Sequence, residues 1–297
     1  MTFLQKMKSV AIKGFVGGEW KVAYRIHHGA NSQYHVVDAP KDTCIADPFL
    51  YEINDEHYLF VELFDKKKNK ACIAYYKFAA GIPKYHGIVI DEPYHMSYPC
   101  VFEYNGEHYM IPETSANLSI DLYKATSFPD KWEKVSCLLS GVRYVDTTIL
   151  KQCNAYYAVS YRKEDQRWYL DTFALDMEKQ SLKRIASKSY AKNVGRPAGN
   201  FYLGEALMRP AQNCSHKYGE NIILYQVNEI DDGKYSECET ARMELDSIPM
   251  NEKPNRIHTY NYDSIYECVD LYFEKQDLLH GVKTLWHAYL RKYFKGI

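Results

Sequence analysis

The chain has 297 residues, 46% hydrophobic and 25% charged, with a formal net charge of −1. A chain this close to neutral carries no basic excess of the kind nucleic-acid binders show, so nucleic acid is excluded as a partner. No segment reaches the roughly 18–20 apolar residues of a membrane helix, and the eight cysteines are scattered singly without a C-x-x-C pair, which leaves zinc and dithiol motifs unsupported and points to a reducing, cytoplasmic location.

The N-terminal stretch MTFLQKMKSVAIKGFVGGEW has lysines but neither a long apolar core nor a cleavage site, so no signal peptide is expected. From Trp20 onward, FVGGEWKVAYRI alternates apolar and polar residues, which predicts a strand. Next comes ADPFLYEINDEHYLFVE (46–62), and fifty-one residues later SYPCVFEYNGEHYMIPE (97–113) lies on it without a gap. Pro48, Glu52, Asn54, Glu56, His57, Tyr58 and Glu62 recur as Pro99, Glu103, Asn105, Glu107, His108, Tyr109 and Glu113. Each copy reads as a hairpin: a strand, an Asn-Asp or Asn-Gly turn whose residues tolerate positive φ, and a second strand. A third strand follows each, KACIAYYKF and SIDLYKATSF.

The pattern continues. VDTTILKQCNAYYAVSY (145–161) fits the first copy with Asp146 on Asp47, and MRPAQNCSHKYGENIILYQV (208–227) fits with Arg209-Pro210 on Asp47-Pro48. RIHTYNYDSIYECVDLYFEK (256–275) is the fifth and weakest match. Repeats of roughly 40–50 residues with four strands each signify a β-propeller. The sequence therefore predicts an all-β fold, a five-bladed β-propeller over residues 1–275, with blades starting near 46, 97, 145, 208 and 257 and the N-terminal strand closing the last blade. From Leu278 the apolar residues Val282, Leu285, Trp286, Tyr289, Leu290, Tyr293 and Phe294 follow helical spacing, with Lys283, Arg291, Lys292 and Lys295 beside them. This predicts a C-terminal amphipathic helix over 276–297, docked on the propeller or lying on an anionic membrane face.

The innermost strands of a propeller ring one end of its channel, and the repeat puts Asp47, Tyr98, Asp146, Arg209 and His258 at the equivalent place. Packing alone does not require five polar residues there. Asp47 and Asp146 are carboxylates suited to acid–base work on a sugar. Glu62 and Glu113 end the second strands of the first two blades and can reach the same mouth to hold substrate hydroxyls. The segment 195–219 contains two Arg-Pro-Ala triplets, at Arg196 and Arg209, followed by Gln212 and Tyr218 as neutral donors and acceptors. An arginine fork fits phosphate or carboxylate.

Taken together, ADPFL, SYPCVFEYNGEHYMIPE, VDTTI, RPAGNF, MRPAQNCSHKYG and HTYN resemble the five-bladed propeller domain at the N-terminus of glucosamine inositolphosphorylceramide transferases and of related bacterial surface-polysaccharide proteins. That domain is similar to the propellers of family 43 glycoside hydrolases, and the resemblance runs from Trp20 to Val269. It implies that Asp47 matches the hydrolases' base and Asp146 their second aspartate. Their blade-four glutamic acid would fall on Arg209, which cannot protonate a leaving alkoxide at neutral pH. Glu237, in KYSECE, is the remaining candidate for that acid.

The resemblance thus implies a glycosyltransferase in cell-surface polysaccharide or glycolipid assembly. Asp47, Asp146 and Arg209 would be catalytic, and Glu62, Tyr98, Glu113, Gln212, Tyr218, Glu237 and His258 would bind substrate. The alternatives are a family-43-like glycosidase and a non-catalytic glycan-binding module that partners a transferase. The partner is a carbohydrate or a nucleotide sugar; no cofactor and no soft metal are expected. A hard divalent cation on the oxygens of Asp47, Asp146 and Glu113 stays open.

Overall fold

A computed structural model describes residues 16–27, 33–231 and 233–276, which form five antiparallel sheets. The expected helix over 276–297 lies outside the described residues, apart from Gln276, which ends the last strand. Strands β1 (Val16–Ile26) and β2 (His35–Val36) come first. Blade one is β3 (Thr43–Ile53), β4 (Glu56–Asp65), β5 (Lys70–Ala79) and β6 (Ile82–Ile90). Blade two is β7 (Ser97–Tyr104), β8 (Glu107–Thr114), β9 (Ser119–Ser127) and β10 (Lys131–Ser140). Blade three is β11 (Val145–Gln152), β12 (Ala155–Glu164), β13 (Arg167–Asp176) and β14 (Ser181–Tyr190). Blade four is β15 (Val194–Pro197), β16 (Tyr202–Leu203), β17 (Leu207–Asn213), β18 (Asn221–Asp231) and β19 (Lys234–Met243). Blade five takes β20 (Arg256–Tyr262) and β21 (Tyr266–Gln276) from the end of the chain and β1 and β2 from its beginning.

The fold is thus an all-β five-bladed propeller. Its ring is closed by β1, which runs antiparallel to β21 from Val16 opposite Gln276 to Ile26 opposite Tyr266. The hairpin turns follow from their residues: Asn54, Asp55, Asn105 and Gly106 all have positive φ, as a tight hairpin requires. Neighbouring blades bury their faces against each other. Phe49, Phe60, Met110, Ile111, Ile149 and Phe173 form one core across blades one to three, and Val22, Ile45, Leu59 and Cys268 join blade five to blade one.

Each innermost strand carries one extra residue near its start. Ala46 is opposite Glu62 but Phe49 is opposite Phe60. The same slip separates Ser97 from Cys100, Val145 from Thr148, Val194 from Arg196 and Ile257 from Tyr260. In the first four blades the bulge holds a residue with positive φ: Asp47 (46°), Tyr98 (48°), Asp146 (52°) and Gly195 (92°). A bulge turns its residue out of the ladder, which is how a strand aims a side chain at a site.

The fourth blade corrects the sequence reading. Its innermost strand is β15, beginning at Val194, whereas the strand near 208 is second in the sheet, between β15 and β18. After β15 the chain crosses the axis. There Gly199 N donates to Tyr98 Oη (2.7 Å), Asn200 N donates to Asn261 Oδ1 (2.8 Å), and Tyr260 N donates to Ala198 O (2.7 Å). Gly199 has φ of 134°, and a Cβ on it would lie 2.0 Å from Tyr260 O, so no larger residue fits.

Candidate active site

A cavity of about 380 Å³ opens at the end of the propeller where the innermost strands begin. Asp47, Glu62, Glu113, Arg196 and His258 give it charged groups from four blades, and Trp20, Tyr218 and Tyr272 give it an aromatic wall. A wider depression of about 560 Å³ lies at the opposite end of blade three, around Tyr157, Met177 and Lys183, with no buried carboxylate among its lining residues. Convergent buried ionisable groups mark the mouth as the candidate site.

Asp47 is buried and tied to its neighbours. Its Oδ1 accepts from Thr259 Oγ1 (3.0 Å), its Oδ2 accepts from Tyr98 N (3.2 Å), and its own N–H donates to Asp270 Oδ2 (2.9 Å). Burial pushes its carboxyl up to about 8; the charge of His258 opposes this, and those of Glu62, Asp146 and Asp270 add to it.

His258 Nδ1 is 2.5 Å from Asp270 Oδ2 and 3.8 Å from Asp47 Oδ1. Its ring stacks on Trp20 at 3.9 Å and 12°. Burial disfavours the imidazolium, but Asp270 and then Asp47 outweigh it and raise the group to about 9. Asp270 itself does not line the cavity. Its Oδ1 accepts the N–H groups of His258 (3.1 Å) and Thr259 (2.8 Å), which the bulge in β20 removes from the ladder. One carboxylate therefore fixes the blade-five bulge, the His258 ring and the Asp47 peptide. Asp47, His258 and Asp270 also form a compact set of cation-type ligands within 4.8 Å of one another, in which His258 Nδ1 is already paired with Asp270 Oδ2 while Asp47 Oδ1 accepts from Thr259 Oγ1.

Arg196 is the guanidinium at the mouth. Its Nε and Nη2 fork onto Asp146, with Nη2 3.0 Å from Oδ1, and Nη2 lies 3.4 Å from Glu113 Oε2. Gln212 Nε2 donates to Asp146 Oδ2 (2.9 Å) and to Pro197 O (3.1 Å). Asp146 and Gln212 thus stand behind Arg196, buried, and hold it rather than lining the cavity. Burial raises Asp146 to about 7 against the opposing charge of Arg196. Both oxygens of Asp146 accept hydrogen bonds in this pairing, and Asp47, Asp146 and Glu113 are not among the sets of described residues whose ligand atoms lie within 4.8 Å of one another. Glu113 Oε1 accepts from Ser115 Oγ (2.5 Å), and Glu62 pairs with His95 Nε2 at 3.3 Å, which raises the imidazole.

Three expected site residues are elsewhere. Arg209 and Glu237 are fully buried inside blade four and pair with each other, with Arg209 Nη1 also donating to Gly195 O (3.0 Å). Arg209 pulls the Glu237 carboxyl down to about 2 despite burial, so it is a fixed anion and no proton donor. Tyr98 points down the axis, where its hydroxyl meets Thr148 Oγ1 (2.8 Å) and Gly199 N. Bulges place the backbones of Tyr98 and Asp47 alike, but the large ring packs against Phe49 instead of facing the mouth. Arg196, Trp20, His95, Thr259 and Asp270 were not singled out from sequence as site residues. Only Arg196 carried a local signal, the first of the two Arg-Pro-Ala triplets.

Comparison with known proteins agrees with this architecture. Zg3597, a family 117 glycoside hydrolase from Zobellia galactanivorans, shares the fold with a TM-score of 0.55 at 10% identity, over 88% of this chain and 91% of that one. The RS223 β-xylosidase does so with a TM-score of 0.56 at 12% identity, over 75% and 84%. Glucosamine inositolphosphorylceramide transferase 1 of Arabidopsis thaliana is 30% identical over 210 residues, which cover 66% of this chain and 27% of that protein. The chain therefore spans about a quarter of the length of the curated relatives it matches. Residues 4–261 match the family model for the N-terminal region of these proteins. The chain belongs to the family described as glucosamine inositolphosphorylceramide transferase 1, N-terminal.

Proposed function

We propose that the chain is a carbohydrate-active propeller that transfers a glycosyl group at the mouth cavity. The observation that carries this reading is the convergence of Asp47 and Arg196 on one hollow with an aromatic wall. Asp47 is the base toward the acceptor hydroxyl. A base is most effective when its pKa lies near the working pH, and burial brings Asp47 to about 8. Arg196 faces the departing group. Among the described residues its Nη1 has no hydrogen-bond partner, so it is free to meet phosphate oxygens as charge develops on them. A nucleotide diphosphate leaves without protonation, which suits a mouth where blade four offers an arginine and no carboxylic acid. The donor is then a nucleotide sugar and the acceptor a glycan hydroxyl, with no cofactor.

A second reading is a module that binds a glycan for a catalytic region elsewhere in a longer protein. It draws on the relatives, which extend far beyond the matched part. Incubation with a panel of sugar nucleotides and acceptor glycans, with released nucleotide as the readout, separates the two. Transfer that is lost in Asp47→Asn supports the first reading; glycan binding without turnover, unchanged in Asp47→Asn, supports the second.

A further inference from the structure

The two nitrogens of the His258 ring are used differently. All polar contacts of the ring are at Nδ1, which lies 2.5 Å from Asp270 Oδ2, 3.2 Å from Thr259 Oγ1 and 3.8 Å from Asp47 Oδ1. Among the described residues Nε2 has no hydrogen-bond partner, and it is not one of the buried polar atoms sealed off without one, so it opens into the cavity that His258 lines. We propose that His258 donates a proton from Nε2 to the leaving oxygen of a glycoside, so that the mouth also takes donors whose leaving group is an ordinary alcohol. This rests on the reading of the mouth as the site of glycosyl transfer.

A general acid needs a donor atom held in place and a proton to give. Asp270 supplies the first. While its Oδ2 takes Nδ1, its Oδ1 accepts the N–H groups of His258 (3.1 Å) and Thr259 (2.8 Å), so one carboxylate anchors both the ring and the backbone that carries it. Trp20 stacks on the ring at 3.9 Å and 12°, and Tyr218 meets it edge-on at 5.3 Å and 82°. The ring is thereby fixed with Nδ1 on Asp270 and Nε2 toward the mouth. Against the cost of burial, Asp270 and then Asp47 favour the charged ring, and Arg196 opposes them. The stacked Trp20 face favours the cation as well.

The step balances within the mouth. The bond between the anomeric carbon and the leaving oxygen breaks, and that oxygen takes the Nε2 proton and departs as an alcohol. The acceptor oxygen bonds to the anomeric carbon, and its proton goes to Asp47. A proton passed from Asp47 back to His258 through solvent restores both groups. A nucleotide diphosphate leaves as an anion and has no need of the Nε2 proton, so the two classes of donor differ in their dependence on His258.

The wild type and His258→Gln are compared on panels of methyl glycosides, dinitrophenyl glycosides and sugar nucleotides with the same acceptors. Methoxide must be protonated to leave, whereas dinitrophenolate leaves unaided. Folded His258→Gln should lose about 100-fold or more in rate on methyl glycosides and no more than about tenfold on dinitrophenyl glycosides. Losses of equal size on both mark His258 as structural and overturn the proposal. If the variant does not fold, the wild type decides: methyl rates within about 100-fold of dinitrophenyl rates support the proton donor, and a wider gap overturns it. Turnover of sugar nucleotides but of no glycoside overturns the proton donor and leaves the transfer reading standing. Turnover on none of the panels overturns both.

Discussion

Arg209 and Glu237 form a two-pronged ion pair sealed inside the fourth blade, with Nε 2.8 Å from Oε2 and Nη2 2.9 Å from Oε1. Neither side chain is exposed, and the hydroxyls of Tyr235 (2.6 Å) and Tyr190 (2.7 Å) donate to the same carboxylate. Glu237→Ala leaves a buried guanidinium uncompensated and should cost about 3–5 kcal/mol in denaturant unfolding. Ligand affinity at the mouth should be unchanged in the folded fraction. The folded carboxyl is held near 2, below its unfolded value, so its contribution is present above the ordinary carboxylate range and is lost as pH falls toward 2.

The sign is opposite for Asp47. Its folded pKa is raised to about 8, so between the ordinary aspartate range and that value the native state keeps a proton that the unfolded chain has lost. Stability from this group therefore falls as pH rises. Asp47→Asn should stabilise the protein by about 1–2 kcal/mol near pH 8, and by progressively less under acid conditions. Thermal melts across pH check this.

Turnover should follow the two groups at the mouth. It should rise as Asp47 ionises, through about 8, and fall above about 9 as His258 loses the proton that Asp270 secures. Asp270→Asn should move the falling limb to lower pH, a change that a purely structural role for Asp270 would not produce. Glu62, Glu113, Arg196 and His95 share the cavity, so the full pH profile must be recorded with each variant.

Gly199→Ala would bring a Cβ against Tyr260 O at the point where the chain crosses the axis, in a backbone conformation that side chains rarely adopt. It should destabilise by about 3 kcal/mol or more, measured by urea unfolding.

The repeat was legible because every blade needs the same strand and turn pattern. Asn54 and Asn105 marked equivalent hairpins, and Asp47, Glu62 and Glu113 could be placed at the mouth by offset alone. The fourth blade was hidden because β15 is only four residues long and the axial crossing separates it from β17. That crossing left two Arg-Pro-Ala triplets that look alike locally. Their difference lies in spacing: Gly195 follows Asp146 by the interval of roughly fifty residues that separates the earlier bulges. The grip of Asp146 on Arg196 and of Asp270 on Asp47 spans 50 and 223 residues of sequence, which no local pattern reports. The placement of Tyr98 could be read, but the direction of its ring could not, because packing along the axis decides it.

The central claim, that the mouth is where glycosyl chemistry happens, is tested most directly by turnover of one sugar-nucleotide and acceptor panel with three proteins: the wild type, Asp47→Asn, and Lys179→Ala in the depression at the far end of blade three. We expect Asp47→Asn to lose at least about 100-fold in rate while staying folded, and Lys179→Ala to match the wild type. Equal turnover by the wild type and Asp47→Asn would contradict the account.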